Sequence, residues 1–204
     1  MPVIVVANPK GGVGKSTLSS NIAGYLARKG RTVMLGDIDR QQSSRNWLKQ
    51  RPADMPAIHT WDVDENHVSR PPRGATHVVL DTPAGLHGRR LRNVLKNANK
   101  VLVPLQASMF DINPTMDFIN EVADLHHEGR LELAVVGNRV RDNTQAADRL
   151  KEFLDSLCVP ALTILRDTQN YVHLSAHGLT LWDVMPHQVE KDLEEWAPIV
   201  NWLK

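Results

Sequence analysis

Short apolar runs alternate along this chain with longer segments whose apolar residues recur every three or four positions. The runs are Val3-Ile4-Val5-Val6-Ala7, Val33-Met34-Leu35, Val78-Val79-Leu80, Val101-Leu102-Val103, Leu133-Ala134-Val135-Val136 and Leu162-Thr163-Ile164-Leu165. None alternates apolar with polar, which suits strands buried on both faces. Between the first two runs, Leu18, Ile22, Tyr25 and Leu26 fall at helical spacing, and Arg28-Lys29-Gly30 supplies the cations and the glycine that end a helix. The pattern predicts an α/β fold with a largely parallel twisted sheet and helices on both faces. Loops that bind ligands then lie at the carboxyl ends of the strands.

Two stretches depart from this rhythm. Residues 51–75 carry Pro52, Pro56, Pro71, Pro72 and Gly74, which predicts surface structure of lower order with one short edge strand at 57–61. From Gln188 to Lys204, Val189, Leu193, Trp196, Val200 and Leu203 form an amphipathic stripe. Its polar face is mostly acidic, whereas a membrane-surface helix is normally rich in Lys and Arg, so docking on the sheet is expected.

The 204 residues, 42% hydrophobic, suffice for a single domain over 1–204. No apolar stretch is long enough to span a membrane and the chain enters its first strand at once, so a cytoplasmic protein is expected. Cys158, the only cysteine, sits between Leu157 and Val159 and is expected to be a packed thiol. Lys plus Arg exceed Asp plus Glu by nine in residues 1–100 and fall short by eight in 101–204. That asymmetry fits either a nucleic-acid face or complementary charges within the fold or a dimer.

The chemistry concentrates after the first run, in Pro9-Lys10-Gly11-Gly12-Val13-Gly14-Lys15-Ser16-Thr17. Gly14-Lys15-Ser16 completes a phosphate-binding loop, with Pro9 where the first glycine of the usual pattern would stand. Gly11, Gly12 and Gly14 let backbone N–H groups close on an anion at a helix N-terminus. Lys15 brings charge to the β and γ phosphates, and the Ser16 hydroxyl can ligate Mg²⁺. The architecture is therefore that of a P-loop NTPase. Two further strand ends carry carboxylates: Asp37 and Asp39, which a period of two would point to one side, and Asp81 in a Walker B-like Val78-Val79-Leu80-Asp81. The Ala84-Gly85 pair after it has the freedom to rearrange when a γ-phosphate leaves.

Together these features resemble the ParA/MinD family of deviant Walker ATPases, whose hallmark is the K-G-G-x-G-K-[ST] loop found here at Lys10 to Ser16. The likeness extends over Val33 to Asp39, Val78 to Pro83, Val101 to Leu105 and Val136-Gly137-Asn138-Arg139. The short length, Asn8-Pro9-Lys10 and Asn46-Trp47 are most similar to small plasmid-partition ATPases of the ParF type. The resemblance implies ATP and Mg²⁺ as cofactors, with Lys10, Gly11, Gly12, Val13, Gly14, Lys15, Ser16, Thr17 and Asn138 around the nucleotide. Lys10 would reach across an ATP-dependent homodimer, Asp39 would orient the hydrolytic water, and Ser16, Asp37 and Asp81 would serve the metal. Lys10, Lys15 and Asp39 are thus the catalytic candidates.

The same resemblance implies nonspecific DNA binding, a nucleoid-associated location and a ParB-like adaptor that stimulates hydrolysis, with a plasmid or chromosome as cargo. A protein cargo such as a chemoreceptor cluster or carboxysome fits equally. Arg40 replaces the proline that often follows D-x-D, leaving the carboxylates in place. The DNA-binding candidates are Arg139, Arg141 and Arg166, with Arg149 and Lys151 nearby. A denser cluster, Arg89, Arg90, Arg92 and Lys96, follows the Walker B strand and is either a phosphate-contacting or a solvated face. No N-terminal extension for a helix-turn-helix is expected. His126-His127 lack further ligands at metal spacing and are expected at the surface. A MinD-like membrane ATPase and an iron–sulfur carrier are other classes, disfavoured respectively by the acidic last helix and the single cysteine; a metabolic kinase or ligase is a further class, which would show ATP turnover dependent on an added metabolite.

Overall fold

A computed structural model describes residues 1–64, 68–107, 109–127, 129 and 131–204, those at 109–114 and 125–127 by backbone alone. In chain order the strands are β1 (Val3–Val6), β2 (Val33–Asp37), β3 (Ile58–His59), β4 (His77–Asp81), β5 (Lys100–Leu105), β6 (Glu132–Val140) and β7 (Ala161–Arg166). The helices are α1 (Lys15–Arg28), α2 (Ser43–Lys49), α3 (Gly88–Leu95), α4 (Met109–His127), α5 (Gln145–Ser156), α6 (Gln169–Ser175) and α7 (Glu190–Leu203). The seven strands form one parallel sheet in the order β3-β2-β4-β1-β5-β6-β7. This is the single α/β domain that the pattern predicts.

The sheet explains why the runs lack alternation. Ile4, Val6, Val79, Leu102 and Ala134 face one core with α1 and α7, while Val5, Val78, Leu80, Val101 and Leu133 face the other with α3, α4 and α5. Each strand therefore needs apolar residues at consecutive positions. Pro104 inside β5 removes a ladder donor, yet it does so just past the end of β1. There the Asn8 side chain takes over, donating Nδ2 to the Pro104 carbonyl at 2.8 Å.

Helix α7 docks as expected, burying Trp196, Ile199 and Leu203, and its buried Asp192 is met by Arg166 at 2.8 Å. Residues 51–75 contain only the short β3 among their described members, but they are more closely packed than the prolines suggest. Trp61 lies over Gly36, where an added Cβ would come within 2.6 Å of its ring, and the indole donates to Ser69 O. A strand glycine here is the room a tryptophan needs. The thiol expectation is corrected: Cys158 is exposed, because the turn before β7 buries Val159 and turns its neighbour outward. The side chains of His126 and His127 lie outside the described residues.

Candidate functional site

The site grows from β1. Ile4 to Val6 are enclosed between β4 and β5, so the chain leaves the sheet centre at Ala7 with neighbours on both sides. The loop that follows is held in several places. The amide of Lys10 donates to Asn8 Oδ1 at 2.7 Å, Gln106 Nε2 donates to Gly12 O at 3.0 Å, and Gly85 N donates to Pro9 O at 2.7 Å. Asn138, at the far end of β6, donates Nδ2 to Val13 O at 2.8 Å. Gly14 lies at φ 94 directly beneath that amide, and a Cβ there would collide with Asn138 Nδ2. Left-handed backbone and close approach together require glycine.

Helix α1 begins at Lys15 with no side-chain cap and no acidic residue in its first turn. Its unpaired N–H groups and dipole are left to an anion. Lys15 is buried, and its ammonium donates to the loop's own Lys10 carbonyl at 2.8 Å. Burial holds its pKa below the ordinary lysine value, opposed by the charges of Asp81 and Asp39. A cavity of about 380 Å³ opens over the loop, lined by Gly11, Gly12, Lys15, Ser16, Asp39 and Arg139 among others. Lys10 itself is half-buried at the start of the loop.

Asp81 ends β4 under this cavity. It is 1% exposed, and neither carboxylate oxygen has a hydrogen-bond partner among the described residues. Burial pushes its pKa up to about 7; the nearby Ser16 and Ser44 hydroxyls and Lys15 pull it down, and Asp37 adds to the rise. Such an acid is a functional-site candidate on physical grounds. Among the described residues, no group of three or more His, Cys, Asp or Glu is gathered to hold a metal by itself. A cation here would rely on one hydroxyl, a carboxylate close behind it and phosphate oxygens, which is how Mg²⁺ is usually held at phosphates.

Asp37 and Asp39 do not share a direction, contrary to the expectation from strand period. β2 ends at Asp37, and the bend beyond it frees Asp39 from the alternation. Asp37 turns onto the start of α2, accepting from Ser44 Oγ at 2.9 Å, Arg45 N at 3.0 Å and Asp39 N at 3.0 Å. Its link to a metal would therefore run through Ser44. Asp39 instead lines the loop cavity beside Gln41 and Ser43.

Past β6 a second cavity of about 280 Å³ adjoins the first, bordered by Thr17, Asn138, Arg139, Asp167, Thr168 and Tyr171. Asn138 and Thr17 are thus brought to the loop, and Arg139 to both cavities. The other arginines singled out for DNA are placed apart. Arg141 is exposed and pairs with Asp167 at 3.1 Å, while Arg166 is committed to Asp192 and the α7 surface. Arg89 and Arg92 on α3 and Lys96 just past its end are exposed, while Leu91, Val94 and Leu95 of the helix are buried. Sequence reasoning missed Ser43 and Ser44, the Gln106 tether and the grip of Asn138 on the loop. Only the strand order makes the last visible, since Asn138 and Val13 are 125 positions apart. An unrelated cavity of about 300 Å³ lies at the amino ends of β1 and β4 beneath Trp61, apolar but for Ser69, Arg70 and Asn97.

Comparison with known proteins bears on the family and the fold. The profile of the CobQ/CobB/MinD/ParA nucleotide binding domain matches residues 4–181. The maintenance of carboxysome distribution protein A of Halothiobacillus neapolitanus is 28% identical over 168 residues, which is 78% of this chain and 76% of that protein. A putative plasmid partition protein of Borrelia burgdorferi bound to AMPPNP superposes with a TM-score of 0.75 at 16% identity, over 98% of both chains. Cobyrinic acid a,c-diamide synthase of Mycobacterium smegmatis, with an ATP analogue and magnesium bound, superposes with a TM-score of 0.68 at 21% identity, over 86% of this chain and 93% of that one. At such identities the structural likeness is one of fold.

Proposed function

The chain belongs to the CobQ/CobB/MinD/ParA nucleotide-binding domain family, and on that premise we propose that it is a Mg²⁺-dependent ATPase that closes as a dimer on ATP and positions a cargo along DNA. The observation that carries the reading is Asp81, a buried acid with both oxygens unpartnered, set between Lys15 and Ser16 beneath a glycine loop. An anion on the loop and a cation between it and Asp81 resolve that deficit together.

The residues divide the chemistry. The amides of Gly11 to Thr17 hold the phosphates, and Lys15 exchanges its Lys10 carbonyl for a phosphate oxygen. Ser16 would ligate the metal and Asp81 would support it, while Asp37 fixes Ser44 by accepting from its hydroxyl. Bound Mg²⁺ supplies neutralisation of charge on the transferring phosphoryl oxygens. Asp39, on the cavity wall, orients the attacking water. Lys10 extends to the triphosphate of a second copy, offsetting charge there as an arginine finger does in other NTPases. Loss of the γ-phosphate then releases the Ala84-Gly85 turn, which Gly85 N ties to the loop through Pro9 O.

A plasmid or chromosome handed over by a ParB-like adaptor is the first reading of the cargo, with nonspecific DNA contacted through Arg141 and the α3 face in a nucleoid-associated cytoplasmic protein. A protein assembly is the second, favoured by the likeness to a carboxysome distribution protein. A MinD-like membrane cycle is disfavoured because the apolar face of α7 is already spent on β7.

Size-exclusion chromatography combined with phosphate release tests the proposal. Wild type should double in mass with Mg²⁺ and ATP but not with ADP, Lys15→Ala should bind neither, and Asp39→Ala should hold the dimer with turnover lost. A chain that stays monomeric with ATP and hydrolyses it only when a metabolite is added would be a ligase or kinase instead.

A further inference from the structure

Two cavities meet over α1, one above the phosphate loop and one beyond the end of β6, and Thr17 and Arg139 are the residues common to their walls. Arg139 is also conformationally unusual. Its φ is 53, the left-handed region that side chains other than glycine, asparagine and aspartate rarely take. The register between β6 and β7 shifts between Gly137 and Val140, so this residue is lifted out of the ladder rather than paired in it. Of the non-glycine residues at positive φ among those described, Gln42, Arg139 and Asn143, only Arg139 borders either cavity. Strain retained at a cleft points to a side chain being aimed.

The neighbours fix where it is aimed. Asn138 is spent on Val13 O, which pins the bulge to the loop and leaves residue 139 over the junction. Two carboxylates share the walls, and each has another partner: Asp39 accepts from Gln41 N at 3.0 Å, and Asp167 pairs with Arg141 at 3.1 Å. The exposed Arg139 side chain makes no hydrogen bond or ion pair among the described residues.

Resting on the nucleotide reading above, we propose that Arg139 is a specificity-determining residue of the same subunit that clamps the inner, α-phosphate end of a nucleotide whose phosphates fill the loop cavity and whose base enters the cavity beyond β6, rather than a DNA contact. The two lysines of the loop reach outward to the β and γ phosphates; a guanidinium at the junction meets the one anionic group they leave. Arginine suits this place because its planar fork satisfies two oxygens at once.

Binding of ADP, AMP and adenosine, each with Mg²⁺, to wild type, Arg139→Gly and Arg139→Lys tests the clamp. Glycine takes a φ of 53 without strain, so Arg139→Gly keeps the backbone and removes only the side chain. Arg139→Gly should lose about tenfold or more in affinity for ADP and AMP, as expected for one charge-assisted contact, and nothing for adenosine. Arg139→Lys should recover part of the loss. At saturating nucleotide, retention on duplex DNA should match wild type. Wild-type affinity for ADP in Arg139→Gly, equal loss for adenosine, or lost DNA retention with nucleotide affinity intact would each overturn the clamp. If wild type itself ignores ADP, the nucleotide reading fails and takes the clamp with it.

Discussion

Asp81 and Asp192 are buried to nearly the same degree, 1% and 0% exposed, and the fold treats them in opposite ways. Asp192 receives Arg166 Nε at 2.8 Å and the Asn170 amide, so the contact between α7 and the end of β7 is electrically complete. The same is true of Asp183, which Arg51 meets bidentately at 2.9 and 3.0 Å and Thr180 meets twice more. Burial alone would raise its pKa, yet these hydrogen bonds hold it below the ordinary carboxylate value. Asp81 has the burial with no guanidinium to answer it; the pull of the Ser16 and Ser44 hydroxyls and of Lys15 is too weak to offset desolvation, and its pKa rises instead to about 7. A buried charge that the chain has neutralised holds elements together; one left unneutralised stores a demand for a ligand.

That contrast can be broken most sharply at Asp81. Because the folded pKa lies above the unfolded one, its contribution to the stability of the ligand-free chain is full below the unfolded value near 4, and is lost as pH rises through about 7. Asp81→Asn should remove this slope, leaving the ligand-free variant more stable than wild type near pH 8 by on the order of 4 kcal/mol, while Mg²⁺-dependent nucleotide affinity falls. Thermal melts across that range read it directly; parallel profiles for the two proteins would mean that Asp81 finds its compensation within the chain.

At the completed site the same kind of change should do the reverse. Asp192→Ala leaves Arg166 and Asn170 without their acceptor and should cost about 3 kcal/mol, allowing for the partial exposure of Arg166, with nucleotide affinity unchanged. Urea titration with ADP binding on the same samples separates the two readouts. The smallest effect belongs to the open surface. Arg141→Ala breaks an exposed pair with Asp167 and should move stability by no more than about 0.5 kcal/mol. If Arg141 touches DNA, the variant should also lower the slope of log affinity against log salt by about one; an unchanged slope would leave the α3 face as the DNA surface.

How much of this was legible in the chain depends on the distance over which each cause acts. The loop, the apolar runs that become strands and the acid closing β4 are local patterns, and they stand where the pattern predicts. Asp39 was harder: the alternation that would pair it with Asp37 stops at the strand end, and where a strand ends depends on the hydrogen bonds its neighbours offer. Cys158 misled for a related reason, since apolar neighbours in sequence say nothing about which way a turn faces. The Asn138 grip on Val13, and the Arg139 bulge that it positions, had no sequence signal beyond a resemblance placing Asn138 around the nucleotide.

The sequence by itself determined a phosphate loop on a buried parallel strand, because glycine freedom, helix dipole and unbroken apolar runs are properties of consecutive residues. The tertiary structure alone decided which buried charges are answered and which are not. Asp81 closes an apolar run and Asp192 stands in a charged stretch, which would suggest the opposite of what is found; only the assembled sheet brings Arg166 to Asp192 and leaves a glycine loop over Asp81. Desolvation and pairing depend on what surrounds a group in space, and no local pattern carries that information.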